Sequence, residues 1–419
     1  MLHSLPQLDN SEYVVGWITA LSHEKAAAKA MLDKVHAPPR HKNAKDSNNY
    51  TLGAINGPNG EHNVVIASLP SGRYGTTTAA TVATQMLSSF PCIKFGLMVG
   101  IGGGIPSEDH DIRLGDIVVS QPTGAFGGVR QYDCGKSTPH GFEERGVLNC
   151  PPDVLLNAMS ELQSNHEMMG GTSIPDILES MYKAYPAMAD SRRGPAYVYQ
   201  GADNDRLFDV DCIHRSDKKD CGECDSTKEA PRPERLNQDP CIHYGTIASG
   251  NKVIKDAKAR DLLSNNCLCF EMEAAGLMNQ FPCLVIRGIS DYCDTHKNDR
   301  WQRYASATAA AYAKELLQVT DASDIQNTPE ARGIVADSLM EIKTAVKDFA
   351  QDMKRKDLLT WLSPLSPSAR HIENQRRRVE GTGTWIFKDP RFLDWSSESP
   401  RHQILYCYGN PGAGKTVIS

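Results

Sequence analysis

The stretch VIRGISDYCD, residues 285–294, decides how the fold is read. It opens as an apolar, β-rich run and ends with Arg287, Ser290 and Asp291 close together. An acid at the carboxyl end of a buried strand lies where α/β sheets bind their ligands. Outward from it, from about residue 12 to about 318, short apolar runs alternate with helical patterns, which predicts an α/β domain. The runs at 13–21, 50–55, 62–69, 95–102, 115–121, 267–273 and 283–291 read as strands, several of them buried on both faces. Helical patterns fit 22–35, 75–90, 151–165, 174–185, 273–281 and 305–318.

Composition sets the outer bounds. The 419 residues are 40% hydrophobic and 23% charged, an ordinary balance for a chain of two or three domains. No apolar run approaches the roughly 18 to 20 residues of a membrane helix, and the first residues carry no secretion signal. A cytoplasmic protein without membrane contact is expected. The net charge of -6 gives no reason to expect nucleic acid as a partner. Twelve cysteines scattered through apolar segments suit reduced thiols better than a disulfide framework. Residues 214–240 are charged, Pro-rich and nearly free of large aliphatics, so they read as a surface insertion. Cys221 and Cys224 within it, flanked by Cys212 and Cys241, invite a zinc reading. Their spacings are not those of a common zinc ribbon, and no metal is expected there.

Three segments can carry chemistry. VGIGGGIPSEDHDIRLGDIVVS, residues 99–120, reads as strand, loop, strand, and the loop's Gly100, Gly102, Gly103 and Gly104 let backbone amides approach an anion or a sugar. A tight strand connection explains the same glycines. CFEMEAAG, residues 269–276, places Glu271 and Glu273 on one face of a strand just before a helix. One of them can grip vicinal sugar hydroxyls, or either can cap the helix. The third is the opening stretch, where Asp291 is a candidate general acid or the cap of a turn.

These segments, with VVGWITALSHEKAA (14–27) and LPSGRYGTTTAAT (69–81), occur in an order that resembles the nucleoside phosphorylase and nucleosidase superfamily over residues 12–318. The resemblance implies a mixed β-sheet sandwiched by helices, with the active site at the ends of the central strands. Hexameric purine phosphorylases carry a phosphate-binding Arg turn after the first strand. Here the turn is ALSHEKA (20–26), and Glu24 matches the water-activating acid of the methylthioadenosine/adenosylhomocysteine nucleosidases, with Ser71 and Arg287 matching the residues that hold that water. A carboxylate repels phosphate and serves water as a base, so charge agrees with the resemblance.

By that resemblance Asp291, oriented by Ser290, acts at N7 of a purine. Glu273 holds the ribose hydroxyls, Met272 packs against the sugar, and Gly102 and Gly103 line the site. Val253 stands where those nucleosidases carry a base-stacking Phe, and Arg73 replaces an aliphatic residue in the matching loop. Hydrolysis of a purine, foremost adenine, nucleoside or nucleotide is the expected activity, without a cofactor and in a homo-oligomer. A phosphate-using phosphorylase and a non-catalytic nucleoside sensor or oligomerisation module stay as alternatives.

Beyond Thr320 the chain turns polar, with an amphipathic helical pattern at 329–362 and a turn-rich segment at 363–395. This linker, 319–400, leads into GNPGAGKT, residues 409–416, a complete phosphate loop with Gly409, Gly412, Gly414, Lys415 and Thr416. The region resembles the entry to the NACHT nucleotide-binding module of fungal NOD-like receptor proteins. Residues 401–419 then read as the truncated start of a P-loop NTPase domain, which would need ATP and Mg²⁺ only when intact.

Overall fold

The computed structural model describes residues 5–139, 141–214, 221–333, 384–397 and positions 372, 376 and 405. The chain divides into two compact units, Met1–Ser338 and Leu339–Ser419. In the second, the described part is a 3₁₀ turn at Thr384–Lys388 and a short helix at Pro390–Trp395, its Asp389 accepting from the Arg391 amide as the cap. The phosphate-loop residues 409–416, and most of the helix expected over 329–362, lie outside the described residues.

In the first unit the order is β1 (Val15–Thr19), α1 (Ser22–Ala30), β2 (Lys34–Val35), β3 (Tyr50–Gly57), β4 (Gly60–Ser68), α2 (Thr76–Ser89), β5 (Phe95–Gly104), β6 (Ile117–Ser120) and β7 (Val129–Gln131). A small hairpin, β8 (Gly135–Thr138) and β9 (Gly141–Glu144), is followed by α3 (Asp153–Met169), α4 (Ile174–Ala184) and α5 (Pro186–Ala189). The unit continues through β10 (Ile242–Gly245), β11 (Ile247–Ser249), α6 (Ala257–Ser264), β12 (Cys269–Glu271), β13 (Cys283–Asp291), α7 (Gln302–Val319) and α8 (Ala322–Asn327).

Eleven strands make one mixed sheet along the path β10-β6-β13-β5-β1-β4-β3-β2, with β12 joining β5, and β11 bridging β12 to β7. The central strands β13, β5, β1 and β4 run parallel. Their middles are largely apolar because helices cover both faces, and all nine residues of β13 and all five of β1 are buried. α7 packs against β13, β5 and α1. Its run of buried alanines (Ala305, Ala307, Ala309, Ala310, Ala311, Ala313) lets it lie close to the sheet. The fold is the α/β class read from the sequence, a mixed sheet flanked by helices.

Three local expectations need correction. The glycines at 100–104 form no loop: they are the last residues of β5, bonded to β13 and β12. Glu271 and Glu273 do not share a strand face, because β12 ends at Glu271 and Glu273 begins the next turn. The helix expected over 273–281 is a 3₁₀ turn at Ala274–Gly276 that tightens toward β13, with amide bonds from Gly276 to Glu273, Met278 to Ala274 and Phe281 to Leu277. The Glu271 carboxylate takes the amides of Glu273 and Ala274, so the first turn is capped from the strand itself.

Nor is the insertion merely surface. Arg235 makes a two-pronged ion pair with buried Asp116, 2.7 Å on each arm, and the Cys241 amide and His243 ring meet the same carboxylate. Arg232 pairs with Asp205 and meets the Tyr292 hydroxyl at 2.7 Å. Charged residues that look solvated in a linear reading are here the anchors of the segment. Burial works against the Asp116 charge, but the bonds from Arg235 and His243 outweigh it and hold the carboxyl below its ordinary 3.8. That stabilisation is present above the ordinary aspartate range and is lost as pH falls through the depressed value. Asp116→Asn is therefore expected to cost about 3 kcal/mol at neutral pH in urea denaturation, as breaking one side of a buried pair does. The gap to the parent protein should close as pH falls below 3.8; equal midpoints at pH 7 would show that the pair anchors nothing.

Candidate active site

Arg287 lies in the middle of β13 with 1% of its surface exposed. Its neighbour in register on β5 is Gly100, where an added Cβ would come within 2.5 Å of both Arg287 Nη1 and Glu24 Oε1. A side chain here would push both that guanidinium and that carboxylate away from their present positions. Gly103 does the same for the strand end, since a Cβ there would stand 2.1 Å from Cys293 Sγ and 2.8 Å from Asp291 Oδ1. The glycines thus serve close approach of side chains across two strands.

Three carboxylates surround the guanidinium. Glu271 forms a direct ion pair with Arg287 Nη2, and Glu273 Oε2 stands 3.5 Å from the same nitrogen. Glu24 comes from the first turn of α1 and is 3% exposed. Its Oε2 accepts the amides of Ala20 (2.7 Å) and Leu21 (2.8 Å), and its Oε1 accepts that of Ile101 (2.8 Å). Burial raises the Glu24 pKa, with Arg287 and the three amides opposing. Burial likewise pushes Glu273 up to about 7, against Arg287. Glu273 Oε1 accepts the Gly75 amide at 3.3 Å, which ties the loop before α2 to the site.

At the end of β13, Ser290 Oγ lies 3.0 Å from Asp291 Oδ2 and 3.3 Å from the Gly102 carbonyl. Asp291 Oδ1 accepts the Cys293 amide, and Lys297 Nζ stands 2.9 Å from Oδ2. Burial alone would lower the Lys297 pKa, but Asp291 beside it leaves it raised. Lys297 escaped the sequence reading: it sits six residues past Asp291 in a polar loop, and only the turn at Cys293, with its positive φ of 54°, folds it back.

Glu24, Gly102, Gly103, Val253, Met272, Glu273, Ser290, Asp291 and Lys297 line one cavity of about 260 Å³. Arg287 sits behind Glu24 and Glu273 rather than on its wall. Ser71 and Arg73 are not brought into it. Both are exposed, on a loop bordering a groove of about 710 Å³ that shares Ala20, Leu21 and Tyr74 with the cavity. The sequence matched Ser71 to Glu24 and Arg287 by order along the chain, and the path of the 70–75 loop decides otherwise. Val253, on the wall, is 51% exposed, so no aromatic or aliphatic clamp closes there.

The chain is similar to known proteins in two regions. The family model for the N-terminal part of nephrocystin 3 matches residues 381–419, which include the phosphate loop. A nucleotide-binding leucine-rich repeat (NLR)-like protein of Hyaloscypha variabilis is 46% identical over 314 residues, 74% of this chain and 30% of that protein. The ATP nucleosidase Cap17 of Escherichia coli is 25% identical over 313 residues, 72% of this chain and 50% of that protein. Among solved structures, a 5'-methylthioadenosine/S-adenosylhomocysteine nucleosidase from Neisseria meningitidis, in complex with methylthio-immucillin-A, overlaps 73% of this chain and 98% of its own. It does so at 15% identity and a TM-score of 0.45. The chain spans half or less of the length of the curated relatives it matches. None of the described helices is long and apolar enough to cross a membrane. The first unit, a mixed sheet with buried glutamates around Arg287, is thus similar to part of an NLR-like protein and to part of an ATP nucleosidase.

Proposed function

We propose that this domain hydrolyses the N-glycosidic bond of an adenine nucleotide or nucleoside. The observation that carries the reading is Glu24, a buried carboxylate held by three amides at the rim of a cavity whose far wall holds Asp291. Breaking the bond builds positive charge on the ribose and negative charge on the base. Three carboxylates against one guanidinium favour the first. Asp291 meets the second by passing to N7 a proton that it takes from the Lys297 ammonium 2.9 Å from its Oδ2. Glu24, raised by burial, is suited to take a proton from water. Arg287 is already engaged by Glu271 and Glu273, which argues against its holding a phosphate nucleophile.

Glu24 also caps its own helix, so its bonds alone do not require catalysis. Glu24→Gln keeps the shape and removes the base: release of adenine is expected to fall at least about 100-fold. Asp291→Asn should do likewise while adenosine still binds. Parent protein that binds adenosine and releases no base would make the domain a sensor, and ribose 1-phosphate as product would make it a phosphorylase.

The substrate's phosphates have a place to lie. The groove that joins the cavity through Ala20, Leu21 and Tyr74 is lined by Lys25, Lys29 and Arg73, with no acidic residue among its lining. This supports a nucleoside triphosphate, the substrate named for Cap17, over methylthioadenosine. Replacing Lys29 and Arg73 together by Ala should raise KM for ATP about tenfold or more and leave adenosine unaffected. Equal effects on both substrates would remove the groove from phosphate binding. Self-association, common where a neighbour closes such a pocket, belongs to the same proposal.

The free protein's Glu273 titrates at about 7, and its ionised form is the one that accepts two ribose hydroxyls. Activity measured as kcat/KM should therefore decline as pH falls through about 7. In Glu273→Gln the rate should be low throughout and any acid limb that remains should be that of Glu24, the base; an unchanged profile would take Glu273 out of sugar binding.

A further inference from the structure

The insertion brings together a second set of chemical groups that the proposed hydrolysis does not use. A ring nitrogen of His214 and the sulfurs of Cys221 and Cys224 all lie within 4.8 Å of one another. Cys212, two residues before His214, is close enough to Cys224 for the two thiols to interact electrostatically. We propose that Cys212, His214, Cys221 and Cys224 form a structural zinc site that fixes the insertion against the loop following Asp291.

In sequence the four residues read C-x-H-x₆-C-x₂-C over 13 residues. Counting cysteines alone gave unpromising spacings, because the histidine that completes the set was left out. Three thiolates and one imidazole are a closed tetrahedral donor set for zinc, with no position left for water, and soft sulfur selects zinc over the hard divalent cations. At bond lengths of about 2.3 Å to sulfur and about 2.0 Å to nitrogen, ligand atoms on one ion stand roughly 3.5 to 3.8 Å apart. The ligand atoms of His214, Cys221 and Cys224 therefore need to draw together by little more than an ångström at most, with Cys212 Sγ closing in as the fourth.

The surroundings are built as a support for such a site. Arg206 donates to the carbonyls of both Cys221 and Cys224, and the Cys224 amide bonds back to the Cys221 carbonyl at 3.1 Å, so the CGEC turn is held by its backbone. The His214 amide donates to Thr295 Oγ1 at 2.9 Å. His296 is 6% exposed, stacks on Phe208 with centroids 4.0 Å apart, and places Nε2 3.8 Å from Cys212 Sγ. Its Nδ1 has no hydrogen-bond partner and stands 3.6 Å from Asp294 Oδ2. A carboxylate, an imidazole and a cysteine sulfur in line are what orients and charges an outer shell around a metal thiolate. Cys221 Sγ also approaches the His296 carbonyl at 3.8 Å.

This cluster is not remote from the cavity. Cys221 and Gly222 line a pocket of about 250 Å³ together with Ser290, Asp291 and Lys297. A metal here would lock the segment 294–300, and with it the ammonium that faces Asp291. The rival reading, a Cys221–Cys224 disulfide, uses the same two sulfurs and does not engage His214.

The test uses the full 419-residue chain, purified with reductant and zinc and then freed of loose metal by gel filtration. About one equivalent of zinc per chain is expected by mass spectrometry of the elements, falling below about a tenth in Cys221→Ser/Cys224→Ser and clearly reduced in His214→Ala. Cys134→Ser/Cys150→Ser, at two exposed cysteines, should keep the full equivalent. Because the ligand variants can lose their fold, cobalt substitution of the parent protein gives an independent reading. Intense visible bands of tetrahedral, thiolate-bound cobalt support the site. Substoichiometric zinc in the folded parent chain, weak six-coordinate cobalt spectra, zinc retained in the double cysteine variant, or Cys221 and Cys224 trapped as a disulfide would each overturn it.

Discussion

A guanidinium buried in the centre of a β-sheet is the constraint around which this domain is organised. Arg287 occupies a fully buried strand position, and taking its charge out of water costs several kcal/mol that only close, well-bonded carboxylates offset. Glu271 supplies the direct pair, and Glu273 and Glu24 stand round it. That requirement fixes where β12 must end, where α1 must begin and why β5 must be glycine at position 100. Three segments far apart in sequence are held in one place by a single charge.

The same arrangement separates the glutamates by environment. Glu271 is consumed: its oxygens bond to Arg287 and to the two amides that open the next turn, so it is a structural acid. Glu24 is bonded to three amides, and Glu273 to one amide and the edge of the guanidinium. Burial without full compensation leaves both raised, Glu273 to about 7, and a carboxylate raised in this way is one that can exchange protons or bonds with a substrate. Their separate surroundings, rather than their residue type, sort scaffold from candidate chemistry.

Around this centre the chain adds features that extend the cavity. The 70–75 loop and α1 contribute the basic groove. The insertion, anchored by Arg235 on Asp116 and by Arg232 on Asp205, carries its Cys and His cluster to the segment that holds Lys297. Polar segments of this kind order themselves through a few buried ion pairs rather than through an apolar core, which is why their hydropathy says so little about them.

The strand-forming runs, Glu24, Glu273, Arg287 and Asp291 were legible in the sequence, because an apolar period interrupted by a charge is a local signal, whereas the glycines at 100–104 read as a loop and end a strand. Which acid pairs directly with Arg287 was not legible: Glu271 and Glu273 are two residues apart, and the choice rests on where β12 stops and turns. Ser71 and Arg73 fell outside the cavity for a similar reason, since the path of a glycine-containing loop depends on what it packs against. Lys297 and His214 could not have been singled out by spacing alone, because their partners Asp291, Cys221 and Cys224 are brought to them by turns whose geometry is set by buried contacts. The sequence by itself determined the α/β class and the set of charged residues buried in its strands. The tertiary structure alone decided their partners, because a buried charge is stabilised by whatever lies within a few ångströms, and that is a property of the fold and not of neighbours in the chain.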